Sequence, residues 1–194
     1  AFGAAQPGSQ HTAASYTFRY TMTSSPPRLP GHPFVADRNG TLCVEGVPLD
    51  TLAQEHGTPL FVYSKATMLA ALAAYQSGFV GRKAQICYAM KANSSLSVLQ
   101  VFAQAGCGFD IVSGGELERV LTAGGDAKKI IFSGVGKTRT EMRRALEVGI
   151  HCFNVESEAE LDVLNDVALS MSQRARLSLR VNPNVDPKTH PYIS

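Results

Sequence analysis

Five short apolar runs recur from residue 86 onward: ICYAMKA (86–92), GFDIVS (108–113), KIIFSG (129–134), HCFNVE (151–156) and RLSLRVN (176–182). Each is rich in β-branched or aromatic residues and has the length of a buried strand. Phe109, Ile130 and Cys152 stand 21 and 22 residues apart, room for a helix and two loops between successive strands. Parallel strands need a crossover of that size, and such crossovers are right-handed. The spacing predicts an α/β chain of repeating βα units on a parallel sheet, and leaves barrel or open sheet undecided.

The intervening segments carry helix signals. Thr138-Arg139-Thr140-Glu141 and Ser157-Glu158-Ala159-Glu160 both fit a capping box, in which a hydroxyl and a carboxylate satisfy the first free N–H groups. Helical period is kept by Leu96, Leu99, Phe102 and Ala103, by Leu117, Val120 and Leu121, by Met142, Ala145 and Leu146, and by Leu161, Leu164 and Ala168. Three of these helices run out at Gly106, Gly124 and Gly149, where a left-handed stop costs least. Upstream, FVADRNGTLCVEG reads as a hairpin around Asn39-Gly40. FVYSKATMLAALAAYQ reads as a strand leading into a helix N-capped by Ser64. The antiparallel hairpin is expected in a different layer from the parallel sheet.

Composition narrows the function. With 44% apolar and 18% charged residues the chain is an ordinary globular protein, and a net charge of +2 without a basic block argues against nucleic acid or an anionic membrane as partner. No apolar stretch approaches the ~20 residues of a membrane span. Cys43, Cys87, Cys107 and Cys152 show no CxxC spacing and suit free thiols in a reducing cytoplasm. Nothing in the pattern suggests a metal site. Residues 1–33, rich in Ser, Thr, Pro, Gly and Ala, read as a disordered extension without the apolar core of a secretory signal. The stretch lacks acidic residues, as a transit peptide does, but it has two arginines and no clear amphipathic helix. Met22 opens MTSSPPRLPGHPF and reads as a native start, which would make residues 1–21 foreign to the protein.

The run ICYAMKANSS ends its apolar stretch in a single amine, Lys91. Ligands of parallel α/β domains gather at the carboxyl ends of the strands, where Lys91, Ser113, Ser133, Glu156 and Asn182 fall. A lone lysine after a strand is ordinarily a solvated loop residue. One partly desolvated by Tyr88, Met90 and facing strands would instead have the lowered pKa that Schiff-base chemistry with an aldehyde requires. GVGKT (134–138) ends like a phosphate loop, but the first glycine of that motif would fall on Ile131 in a strand. VGKT is therefore read as the end of a strand and the start of a helix.

YAMKANSS followed by GFDIVSGGELERVLTAGG resembles the fold-type III pyridoxal-phosphate enzymes, and IIFSGVGKT, CFNVESEAEL and LRVNPNVDPKTHPYIS resemble the diaminopimelate decarboxylase family among them. The likeness runs over residues 34–194. It implies an incomplete (β/α)8 TIM-type barrel of the alanine racemase-like class, about five βα units in residues 63–194. Residues 34–62 would be strands associated with a separate β-domain. It further implies pyridoxal 5'-phosphate as cofactor, held through Lys91, with Asp110 beside cofactor and lysine and Arg180 organising the surroundings. Glu116 matches another acidic position, and His190 lies near a family motif. For each there is an ordinary alternative: a strand-end cap for Asp110, a first-turn carboxylate for Glu116, a structural cation for Arg180 and a surface imidazole for His190.

The activity implied is decarboxylation of meso-2,6-diaminopimelate to L-lysine and CO2, a step of lysine biosynthesis, by a cytoplasmic homodimer acting on a small amino acid. A whole barrel takes ~250 residues, and the family's ring-facing histidine, glycine-rich phosphate stretch, acid for the pyridine nitrogen and C-terminal β-domain have no counterpart here. The 194-residue chain is therefore expected to be inactive and poorly stable alone. Alternatives are an ornithine or arginine decarboxylase of the same fold type, or a truncated barrel that binds pyridoxal phosphate without catalysis.

Overall fold

The computed structural model describes residues 34–36, 40–181, 185 and 188. The proposed extension at 1–33, Asn39 of the first turn, Asn182 and His190 lie outside the described residues.

The amino-terminal part is a small antiparallel sheet. β1 (Phe34–Ala36) pairs with β2 (Leu42–Val44) in the register Phe34↔Val44, as the hairpin pattern predicts, and β2 pairs with a short β3 (Val47–Pro48). The second reversal was not legible as a turn motif. It is made by Glu45 and Gly46, at φ 49° and 82°, the pair of positive angles that a tight hairpin turn demands. Helix α1 (Leu49–His56), also unforeseen, follows at once and buries none of its residues. The predicted strand at Phe61–Tyr63 is absent. Phe61 is 85% exposed and the segment has no ladder, because β propensity is realised only where a neighbour supplies hydrogen bonds and a surface to pack on. Helix α2 (Lys65–Gly78) starts where expected, with the Ser64 hydroxyl accepting from the Thr67 N–H.

The rest is one repeating unit. Strands β4 (Cys87–Ala89), β5 (Gly108–Ile111), β6 (Ile130–Phe132), β7 (Cys152–Val155) and β8 (Leu177–Leu179) form a five-stranded parallel sheet in sequential order. They alternate with α3 (Leu96–Gln104), α4 (Gly114–Thr122), α5 (Arg139–Val148) and α6 (Glu158–Ser170). Right-handed crossovers that always step the same way place every helix on one face of the sheet. The burial pattern follows from the two-residue alternation of a strand. Phe109, Ile111, Phe132, Phe153 and Val155 are buried on the helix side, and Gly108, Asp110, Ile131, Cys152 and Asn154 occupy the opposite face. This is part of a TIM-type barrel wall.

Against the helix-facing row pack Leu99 and Phe102, Leu117 and Val120, Met142, Ala145 and Leu146, and Leu164 and Ala168, positions read from the helical period. The α3 face is rotated slightly from expectation: Val98 is buried and Leu96 is 42% exposed. A fully buried Leu, Ile or Phe of this row is stabilised by about 1.5–3 kcal/mol relative to exposure. Gly108 marks a close approach. A Cβ there would stand 2.6 Å from the Lys129 carbonyl oxygen and 2.7 Å from Cys87 Sγ.

Helix starts refine the capping prediction. Thr138 and Glu141 form the full box. Ser157 caps α6 by accepting from the Glu160 N–H, but the Glu160 carboxylate reaches one residue further back, to the Glu156 N–H. Glu116 does the same at α4, accepting from the Val112 N–H while Ser113 is the cap. The first-turn role is thus the one the structure gives Glu116. The stop signals Gly106, Gly124 and Gly149 all take positive φ.

Candidate active site

The carboxyl ends of the strands carry a connected polar row on the face away from the helices. Asp110 on β5 accepts a 2.6 Å hydrogen bond from the Ser133 hydroxyl just beyond β6. The Asn154 side-chain amide on β7 donates to Ser133 Oγ at 2.9 Å. Asn154 → Ser133 → Asp110 is therefore an ordered relay across three adjacent strands, ending on a carboxylate. Beside it, Glu156 accepts from the Gly134 N–H through one oxygen and from Arg180 through the other, at 3.0 Å. Arg180, after β8, thus touches Glu156 and not Asp110.

Lys91 sits next to this row on the neighbouring strand. β4 ends at Ala89, whose register partner is Asp110, and Met90–Ala92 form a single tight helical turn. Met90 is buried in the core and Lys91 is exposed. The Lys91 amine makes no hydrogen bond or ion pair with any described residue. Lys91 follows β4, an edge strand of the sheet. Tyr88 turns the other way, stacked on Phe102 at 4.3 Å between centroids with its hydroxyl donating to the Asn93 carbonyl. Burial pushes the Tyr88 phenol up.

Lys137, the lysine of GVGKT, is not a phosphate ligand in waiting. Its side chain is wholly buried, donating to the carbonyls of Gly134 and Asn154 and to Glu160 Oε1 at 2.6, 2.8 and 2.7 Å. The segment ends β6 and starts α5 with Thr138 as N-cap, as read from the sequence. Among the described residues no cluster of three or more His, Cys, Asp or Glu could hold a metal ion, and no helix is long and apolar enough to cross a membrane. All four cysteines are unpaired, and burial pushes the thiols of Cys87, Cys107 and Cys152 up.

The structure thus brings Asp110 together with Ser133 and Asn154, sets Lys91 on the adjoining strand end, and gives Arg180 to Glu156. Ser133 and Glu156 were visible as strand-end residues. Asn154 was missed, although an amide at an inward position of the apolar run CFNV was a usable signal. The Lys137–Glu160 pair had no signal, since its partners lie 23 residues apart on different units.

The molecule is thus a one-sided wall of sequential βα units, part of a TIM-type barrel, with an unengaged lysine at its first strand end and polar groups at the next three. Residues 65–194 match the family described as "Pyridoxal-dependent decarboxylase, pyridoxal binding domain", and the chain belongs to this family. It is 58% identical over 157 residues to diaminopimelate decarboxylase of Pseudomonas aeruginosa, covering 81% of this chain and 38% of that protein. The crystal structure of diaminopimelate decarboxylase from Helicobacter pylori complexed with L-lysine superposes with a TM-score of 0.72 at 46% identity, over 75% of this chain and 37% of that one. The M. jannaschii diaminopimelate decarboxylase in co-complex with L-lysine gives 0.78 at 35% identity, over 86% and 39%. The chain spans somewhat under two fifths of the length of these relatives.

Proposed function

We propose that this chain supplies the lysine-bearing wall of a diaminopimelate decarboxylase, which releases CO2 from meso-2,6-diaminopimelate to give L-lysine. The observation that carries the reading is the placement of Lys91: an exposed amine without a partner, at a strand end in register with the Asp110–Ser133–Asn154 relay. An amine held in an ion pair would have to break it before condensing with an aldehyde, and Lys91 has nothing to break. The residues present therefore fit pyridoxal phosphate at its aldehyde end. When bound, the cofactor supplies the electron sink for the charge left as CO2 departs.

The chain's own residues bind and orient. Lys91 would hold the cofactor through its amine. Asp110, accepting from the Ser133 hydroxyl, places a carboxylate on the strand adjoining Lys91. Glu156 locks the β6 turn through Gly134 and holds the Arg180 guanidinium at the rim, where its charge organises the surroundings of an anionic ligand. Phosphate-binding and proton-donating groups are assigned to the part of the relatives beyond this chain's span. So are exclusion of water and the homodimer contacts. Residues 34–62 are assigned to the β-domain side of the barrel, and the free thiols fit a reducing cytoplasm.

The test is a graft in which residues 34–194 replace the matching segment of the P. aeruginosa relative. With pyridoxal phosphate and meso-diaminopimelate the graft should release CO2 and L-lysine, the 194-residue chain alone should not, and Lys91→Ala should abolish both turnover and covalent cofactor attachment. Covalent attachment that survives Lys91→Ala overturns the assignment.

A further inference from the structure

Lys137 has no part in the reading above, yet it is the most completely buried charged group among the described residues. All three protons of its ammonium are used: one on the Gly134 carbonyl, one on the Asn154 carbonyl, one on Glu160. One carbonyl belongs to a member of the relay, Asn154, and the other to the residue that follows its central serine, Gly134. Gly134 follows Ser133, and Asn154 carries the amide that donates to Ser133. Glu160 in turn uses its second oxygen on the Glu156 N–H, so the same ion pair fixes the residue that holds Arg180. Phe132 places its ring 5.8 Å below the ammonium.

A clamp needed only to attach α6 to the sheet would be served by the apolar contacts of Leu164 and Ala168, and a buried ion pair adds little to stability compared with apolar residues of the same shape. What the ammonium adds is direction. It draws two strand-end carbonyls, 20 residues apart in sequence, onto one point.

We propose that Lys137 is a positioning residue for the decarboxylase site, setting Asp110 through Asn154 and Ser133. The inference rests on the proposed function for its catalytic consequence, but its structural half is measurable without cofactor. Loss of the ammonium frees the Asn154 backbone, the Asn154 amide loses its aim at Ser133, and Asp110 loses a fixed donor.

The experiment compares Lys137→Met with Lys137→Met/Glu160→Gln, which leaves no buried carboxylate without a counter-charge and so protects the fold. Asparagine labelled with 15N in the 194-residue chain reports solvent exchange of the Asn154 side-chain NH2. It should exchange at least about tenfold faster in both variants, the equivalent of one lost hydrogen bond. In the graft, kcat should fall with KM little changed, and Ser133→Ala added to Lys137→Met should cost no more than either alone. A core truncation away from the relay, Leu117→Ala, should lower the melting temperature without changing kcat. Unprotected Asn154 in the unsubstituted chain, unchanged exchange in both variants, or additive kinetic losses would each overturn the proposal. A graft that never attaches cofactor sinks the proposed function and leaves the exchange result to stand by itself.

Discussion

Glu141 bridges two helix starts, and its removal is a measurable test of how the βα units are held together. One carboxylate oxygen accepts from the Gly114 N–H of α4 at 2.7 Å, and the other accepts from the Thr138 N–H and hydroxyl at 2.9 and 2.8 Å. Loss of a helix cap costs about 0.5–2 kcal/mol. A hydrogen bond to a charged acceptor contributes about 1.5 kcal/mol at a partly solvated site. Glu141→Ala should therefore destabilise the chain by roughly 2–3 kcal/mol, a fall in melting temperature of roughly 5–10 °C for a chain of this size. Urea unfolding followed by circular dichroism measures it.

The pH dependence has a definite sign. The Gly114 N–H, then the Thr138 N–H and hydroxyl, hold the Glu141 carboxyl below the usual carboxylate range, with burial opposing them. A carboxyl lowered in the folded state contributes stability that is complete above its unfolded value and is lost as pH falls through the folded one. The gap between native chain and Glu141→Ala should be full at neutral pH and close in acid. Glu141→Gln keeps one acceptor but turns an NH2 toward an N–H, so it should lose at least half of the Glu141 contribution. A gap under about 0.5 kcal/mol at neutral pH, below the cost of any lost cap, or one that widens in acid, would refute the bridging account.

Gly108→Ala should destabilise by about 1–3 kcal/mol, the cost of overpacking, because the new methyl meets the Lys129 backbone oxygen and Cys87 Sγ; an unchanged urea midpoint would show that the sheet gives way freely there. Cys107 is 4% exposed and its thiol is pushed up by burial, so it should resist alkylation at neutral pH until the chain is unfolded. Labelling of native Cys107 as fast as in urea would contradict that burial.

The repeating unit was legible in the sequence because its signals are local. The 21- and 22-residue intervals between Phe109, Ile130 and Cys152, the hydroxyl caps at Ser64 and Thr138, and the glycine stops all act within a few residues, where chain geometry leaves little choice. The same locality misled at Phe61–Tyr63, where strand-forming residues found no ladder, and it gave no sign of α1, which follows a proline-ended strand without a capping side chain.

At the site, Lys91 stood out because it ends an apolar run, whereas Asp110 was named on the family resemblance. Register decides which residues become neighbours, and only the paired strands show that Ala89 lies beside Asp110. Arg180 went to Glu156 for the same reason: adjacent parallel strands place their ends together. The exposure of Lys91 in this chain is likewise a tertiary property, since solvation is set by what covers a residue from outside its own strand. Sequence alone determined the repeating strands and helices from residue 86 onward, through short-range sterics and hydrogen bonding. Only the tertiary structure decided which residues touch, since the Asp110–Ser133–Asn154 relay and the Lys137–Glu160 pair join groups 21 to 23 positions apart that meet only when the sheet is assembled.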